Sequence, residues 1–277
     1  MYSHHVMTEN MAGQTKRTPL ADPDATERPV FVLADRHKRI HTPWHSHRRI
    51  QFIHVSEGVL TVLTRRSRFV IPPQRAVWIG PGVEHRILSP SPFWLTTCYL
   101  EPDILPRPMG EGAVAVDRLT DELLIAASSF GGSYPEGGSE ARLIGVLCDR
   151  LQILRPIEVV LPEPADPRLR RITERLLANP ALDASLGELA SGAALTERTA
   201  ARLFVSDTGM TFGRWRQHMR LQVALGHLAA GASVTETAFA VGYSDVSSFI
   251  IAFRQLFGAT PARILSAEPN SSPEDMR

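Results

Sequence analysis

Ser185-Leu186-Gly187-Glu188-Leu189-Ala190 recurs 48 residues later as Ser233-Val234-Thr235-Glu236-Thr237-Ala238. Both are S-x-x-E capping boxes: the serine hydroxyl accepts from the amide three residues on, and the glutamate reaches back to the serine amide. Each box predicts a helix start. Thr196-Glu197 is echoed, again 48 residues on, by Ser244-Asp245, an N-cap followed by an acid that suits the positive end of a helix. Thr208-Gly209-Met210-Thr211-Phe212 is echoed by Phe257-Gly258-Ala259-Thr260-Pro261, where glycine stops one helix and threonine caps the next. The repeating unit is a short helix, a tight turn and a second helix of about ten residues, a helix-turn-helix present twice. In the second unit the turn is Val241-Gly242-Tyr243-Ser244, with glycine for the chain reversal. Between the units, Thr211 to Ala230 reads as one longer helix, with Phe212, Trp215, Met219, Leu221, Leu225 and Leu228 on its apolar face and Gly231 at its end. Such a connector fixes the spacing of the units. Two recognition helices about 34 Å apart enter successive major grooves on one side of duplex DNA. An ordinary helical bundle uses the same caps, but box, turn, cap and glycine stop recurring in register favour DNA binding.

Working outward, Asp166 to Leu265 carries eleven arginines against eight acids, a net of +3 in a chain whose total is only +1. That points mildly toward nucleic acid. Pro156 to Pro167 holds four prolines and reads as a linker. Before it, Asp117 to Phe130 and Ser139 to Leu154 read as amphipathic helices. The second carries Leu143, Val146, Leu147, Leu151 and Leu154 at helical spacing, a stripe expected to bury on the preceding domain or, preferentially, in a dimer contact. From 28 to 105 the pattern is all-β. Short runs such as Gln51-Phe52-Ile53-His54-Val55, Arg68-Phe69-Val70-Ile71 and Ala76-Val77-Trp78-Ile79 alternate with turn signals such as Glu57-Gly58 and Gly80-Pro81-Gly82. The expected organisation is a disordered tail (1–27), a β-barrel sensing domain (28–105), a helical dimerisation segment (106–155), the linker (156–167), the double helix-turn-helix (168–265) and a second disordered tail (266–277). The class is α+β multidomain. No apolar run is long enough to span a membrane, no hydrophobic leader opens the chain, and two cysteines in apolar contexts exclude a disulfide scaffold and suit a reducing cytoplasm.

The stretch Ala224 to Val234, then Ala240-Val241-Gly242-Tyr243-Ser244, Phe249, Ala252-Phe253-Arg254 and Phe257-Gly258-Ala259-Thr260-Pro261 resembles the signature of AraC/XylS-type transcriptional regulators over about 169 to 265. The resemblance implies a two-unit DNA-binding domain attached to a sensing domain. It also implies a double-stranded DNA operator, a small-molecule effector and, for an activator, RNA polymerase as partners. The periodicity of the first recognition helix turns Glu197, Arg198, Ala201 and Arg202 outward, and Arg198, Thr199 and Arg202 are the expected DNA contacts, with arginine suited to guanine O6 and N7. In the second, Val246, Ser247, Ile250 and Ile251 are expected to face outward. Family members often carry polar or basic residues near the last two, and the isoleucines here suit thymine methyls or the core. Arg214, Arg216, Arg220 and Arg254 are candidate phosphate clamps.

In the β-region, His45-Ser46-His47-Arg48-Arg49-Ile50-Gln51 followed by six residues and Gly58 resembles the first cupin motif, with glutamine in place of its glutamate. Gly80-Pro81-Gly82-Val83-Glu84-His85 resembles the second, with Gly80 replacing a proline. Ile71 to Ile79 further resembles a subgroup with cupin sensors that includes repressors of neighbouring efflux-transporter genes. Residues two apart on a strand share a side, so His45 and His47 can converge with His85 from a facing strand. Three imidazoles suit a divalent metal such as zinc, nickel or iron, whereas neutral Gln51 is a poor fourth ligand. Three readings stay open: a metal-dependent cupin oxygenase or isomerase with a helical tail, a structural or sensory metal, and a metal-free effector pocket hydrogen-bonded by the histidines. Trp44, Trp78, Arg48 and Glu84 are expected beside that pocket, with Trp78 equally suited to plain core.

Overall fold

A computed structural model of the chain describes residues 22–105 and 110–265, and the backbone of two strands, β1 (His5–Glu9) and β2 (Thr15–Pro19), which pair antiparallel. The tail expected over 266–277 lies outside the described residues. Strands β3 (Val30–His37), β4 (Ile40–His41), β5 (Ile50–Glu57), β6 (Leu60–Thr64), β7 (Ser67–Ile71), β8 (Arg75–Ile79), β9 (His85–Ser89), β10 (Phe93–Leu100), β11 (Gly112–Ala115) and β12 (Val160–Pro162) form two antiparallel five-stranded sheets. One runs β11-β8-β5-β10-β3 and the other β12-β7-β6-β9-β4.

Alternation along the first sheet separates two cores. Ile53 and Val55 of β5 and Val77 and Ile79 of β8 meet Leu60, Val62, Phe69, Ile71 and Ile87 of the second sheet in the barrel interior. Phe52, Ala76, Trp78 and Cys98 turn to the outer face, where α1 (Arg118–Ser128) and α2 (Ser139–Gln152) cover them with Leu124, Ala127, Ile144, Leu147 and Leu151. The apolar stripe read as a dimer contact is thus largely spent on the sheet, while Val146 stays exposed. The stretch expected to be tail from 22 to 27 is also engaged. The Asp24 carboxylate accepts from the amides of Arg48 and Arg49, and the buried Arg49 guanidinium donates to the carbonyls of Thr26, Arg28 and Pro29.

The proline-rich linker is a paired segment. Pro156 bridges Val114, the Ile157 amide donates to the Ala113 carbonyl, and β12 pairs with β7 in the register Val160 to Phe69. Proline reads as a breaker because it lacks an amide proton, but an edge strand tolerates it. From the other side the indole of Trp215 donates to the Pro162 carbonyl (2.8 Å) and the Gln222 amide to the Val159 carbonyl (2.6 Å). The Asp207 carboxylate accepts from the amides of Ala165 and Asp166.

The C-terminal domain comprises α3 (Pro167–Ala178), α4 (Leu186–Gly192), α5 (Glu197–Thr208), α6 (Phe212–Ala229), α7 (Val234–Ala240), α8 (Val246–Phe257) and α9 (Pro261–Ile264). Both capping boxes are closed in both directions, at Ser185/Glu188 and Ser233/Glu236. The second cap differs by one position. Thr196 caps α5, but Asp245 rather than Ser244 caps α8, its carboxylate accepting from the Ser248 amide at 2.8 Å. Asp245 adds negative charge at the helix N-terminus, which favours it over the hydroxyl. Gly242 lies at φ +85°, and a Cβ there would sit 2.9 Å from the Ala181 Cα. Its counterpart 48 residues earlier is Ala194, held at φ 56°, a left-handed conformation costing an L-residue about 1–2 kcal/mol.

Candidate functional site

Two sites follow from this frame. The first is at one end of the barrel. His45 and His47 precede β5 in an irregular segment rather than in a strand, so the alternation argument for their convergence does not apply. Backbone pairing brings them together instead. The His45 amide donates to the His85 carbonyl and the His85 amide to the His45 carbonyl, while the Gly82 amide donates to the His47 carbonyl. One ring nitrogen from each of the three histidines lies within 4.8 Å of those of the other two. Each Nδ1 faces a backbone carbonyl: Pro43 for His45 (3.0 Å), Arg49 for His47 (2.7 Å) and Val83 for His85 (2.9 Å). A ring that donates from Nδ1 keeps a bare Nε2, the tautomer a metal ligand needs. Burial, with the nearby His45, pushes His85 down to about 3, so its ring is neutral at physiological pH.

Gln51 reaches the same point from β5. Its Oε1 lies 3.2 Å from the His47 Nε2 and 3.0 Å from the His85 Nε2, and its amide nitrogen donates to the Thr97 hydroxyl and the Tyr99 phenol at 3.0 Å each. Bare Nε2 atoms facing a carbonyl oxygen repel. A cation between these lone pairs relieves the conflict. So does turning the amide, so that its N–H groups donate to the rings and its oxygen accepts from Thr97 and Tyr99. Side-chain amide orientation follows the hydrogen-bond network rather than the reverse. Both states of the site are therefore chemically complete. Thr97 and Tyr99 were not singled out by the sequence, because their place beside Gln51 depends on the pairing of β10 with β5.

The two tryptophans expected in this pocket are elsewhere. Trp78 pairs with Phe52 across the strands and faces away from the interior, into the core under α1 and α2. Trp44 is clasped between the guanidinium groups of Arg65 and Arg86, at 4.1 and 4.9 Å. Arg48 pairs with Glu101, and Glu84 accepts two bonds from Arg65, which holds its carboxyl below the usual range.

The second site is the exposed face of the helical domain. Arg198 and Arg202, one turn apart on α5, are exposed, and Ala201 stands exposed between them. Thr199 is half-buried and completes the start of the helix, its amide donating to the Thr196 hydroxyl. On α8, Ser247 and Ile251 are exposed, and Ile251 retains 56% of its accessibility. Val246 and Ile250, expected to face outward, are half-buried and pack against the core, because the stripe of Phe249, Ala252 and Phe253 extends to them. Arg254 is exposed at the last turn. Two of the candidate phosphate clamps are structural. Arg216 donates to the carbonyls of Ala184 (2.9 Å) and Leu182 (2.5 Å), and Arg220 to those of Pro180 and Gly242, both at 3.0 Å. Arg220 thereby ties the α3–α4 connection to the turn of the second unit.

The AraC-like ligand binding domain family matches residues 29–114, and a helix-turn-helix domain family matches residues 189–267. The HTH-type transcriptional regulator NimR of Escherichia coli (strain K12) is 32% identical over 240 residues, covering 85% of this chain and 88% of that protein. RipA, an HTH-type transcriptional regulator of Corynebacterium glutamicum, is 36% identical over 107 residues, 39% of this chain and 32% of that one. Among solved structures, ToxT from Vibrio cholerae bound to an unsaturated fatty acid aligns over 89% of this chain and 99% of its own, at 10% identity and a TM-score of 0.38. The reading as a metal-dependent enzyme finds no support in these relatives, which are regulators.

Arg220→Met is expected to lower stability by about 1–3 kcal/mol in urea denaturation, since two carbonyls lose their donor. The slope of log affinity for DNA on log salt should stay unchanged. A slope smaller by about 1 would return Arg220 to the phosphate clamps.

Proposed function

Because the chain belongs to the AraC-type transcriptional regulators, we propose that it recognises its operator through α5 and positions itself with α8, under control of a ligand held by the barrel histidines. The observation that carries the DNA reading is the solvent-facing pair Arg198 and Arg202, one turn apart on a helix whose start is fixed by the Thr196 cap. Arginine forks match the two guanine acceptors of the major groove. On α8, Ser247 and Ile251 offer one hydroxyl and one apolar contact, so this helix specifies less than α5 does. Arg214 and Arg254 supply phosphate contacts. Arg202→Ala is expected to cost about 1–3 kcal/mol in operator affinity at fixed salt, with relaxed preference at one base pair. Unchanged affinity and preference in that titration would remove Arg202 from the readers.

The barrel reading rests on three histidines, each with its Nδ1 against a backbone carbonyl, converging on one point. They fit a divalent cation such as zinc, nickel or iron, with His45, His47 and His85 as ligands and the Gln51 oxygen beside them. Such an ion supplies a Lewis-acidic anchor for an effector carrying a chelating group. Protein purified without a histidine tag is expected to hold about one equivalent of divalent metal by elemental analysis, and His47→Ala to hold none. Metal absent from both proteins would leave the turned-amide state, with the histidines as hydrogen-bonding groups for an organic effector.

The regulator acts in the cytoplasm as a homodimer, and control of a neighbouring transporter gene, with recruitment of RNA polymerase if it activates, completes this reading. Among the described residues no helix is long and apolar enough to cross a membrane. Leu119 and Ile125 of α1 and Val146 of α2 remain exposed after the helices have covered the sheet, which supports self-association through this layer. Val146→Arg should convert a dimer to a monomer in sedimentation velocity. A dimer that persists in the variant would move the contact elsewhere.

A further inference from the structure

The histidine cluster supplies three donors and no negative charge. Among the described residues no carboxylate joins His45, His47 and His85 where their ring nitrogens meet. The side chain that reaches the same point from β5 is Gln51, a neutral amide whose oxygen lies 3.0 Å from the His85 Nε2 and 3.2 Å from the His47 Nε2. Carboxylates that approach the motif are committed elsewhere. Glu84, next to His85 in the chain, takes two bonds from Arg65 (2.8 and 2.9 Å). Glu101 is held by Arg48 and by the buried Arg49. Asp24 accepts from the amides of Arg48 and Arg49. Gln51, His85, Thr97 and Tyr99 are all buried. A divalent cation held by imidazoles and an amide therefore keeps both of its positive charges in a poorly solvated setting, where unbalanced charge is costly. His45 retains partial exposure, so the cluster can be reached from solvent.

We propose that Gln51 sets the charge of the effector: its neutral amide leaves the charge of the cation uncompensated, so the effector is a small organic anion that binds the ion through an anionic oxygen such as a carboxylate. This rests on the metal reading of the barrel and adds to it the charge of the ligand and the residue that selects it. A glutamate at position 51, as in the cupin motif that this segment resembles, would cancel one positive charge before any ligand arrived. Thr97 and Tyr99 hold Gln51 in this role. Its amide nitrogen donates to both hydroxyls at 3.0 Å, which directs its oxygen toward the rings. A hydroxyl donates as readily as it accepts. The same two groups can therefore turn to serve a carboxylate, and Gln51→Glu changes the charge of the site with little change of shape. By linkage, an anion that prefers the loaded protein raises the affinity for the metal by the same factor. Hydroxide formed from bound water is the competing source of negative charge, and it predicts no response to added carboxylate.

The test uses the full chain, stripped of metal and loaded with cobalt(II), whose visible absorption bands report the surroundings of the ion. Acetate and benzoate are the probes, titrated at an ionic strength held constant with sodium perchlorate. Wild type is expected to show a saturable change in the bands with at least one of them, and the metal-free protein to bind neither by calorimetry. The neutral counterparts acetamide and benzamide should leave the bands unchanged. Gln51→Glu is expected to keep its cobalt and to bind the responding probe about tenfold more weakly or worse. Bands unmoved by either carboxylate, an equal response to the neutral amides, or equal binding in Gln51→Glu would overturn this inference and leave the metal reading standing. The neutral amides decide the question on wild type alone if Gln51→Glu loses its cobalt. A wild-type chain that takes up no cobalt would end both readings.

Discussion

Val159 to Pro162 supply backbone to two domains at once. On one side their strand extends the second sheet of the barrel through β7. On the other their carbonyls accept from Gln222 and Trp215 of α6, the helix that joins the two DNA-binding units. A buried carbonyl without a donor is costly, so neither domain can withdraw from this segment without orphaning polar groups. The relative position of barrel and α6 depends on that arrangement.

The double helix-turn-helix is plain in the sequence because capping is local chemistry. A serine and a glutamate three residues apart satisfy each other whatever lies around them, and both boxes are found closed. Where a choice between neighbours mattered, the local reading slipped by one: Asp245 took the cap from Ser244. Ala194 was not legible as the partner of Gly242, since nothing in its identity announces a left-handed backbone.

The barrel site was legible in part for a different reason. The identities of His45, His47 and His85 mark chemistry, and the structure brings them together. Their neighbours in sequence were poor guides to their neighbours in space. Trp44 and Trp78 sit beside the motifs but face other surroundings, one held by two arginines and one under α2. Thr97 and Tyr99, which orient Gln51, lie more than forty residues away and arrive through strand pairing. The linker escaped for the same reason. Its partner strand ends at Ile71, some ninety residues before Val160, and proline composition describes only what a backbone lacks.

These pairings also limit how the barrel can speak to the DNA-binding units. His85 begins β9, β9 pairs with β6, β6 with β7, and β7 with β12, whose Pro162 carbonyl accepts from Trp215 of α6. The path is continuous, but continuity alone carries no signal. A ligand shifts an arrangement only by its difference in affinity for two states. Paired strands inside a packed barrel have little freedom to offer a second state. The segment before β5 has more, since His45 is tied by an isolated two-bond bridge to His85 rather than by a ladder, and the His47 carbonyl accepts from the Gly82 amide. The same segment carries the amides of Arg48 and Arg49 that bind Asp24, and Arg49 gathers the carbonyls of the chain leading into β3. Ordering at the histidines therefore bears first on the barrel mouth, and only through β9 on α6.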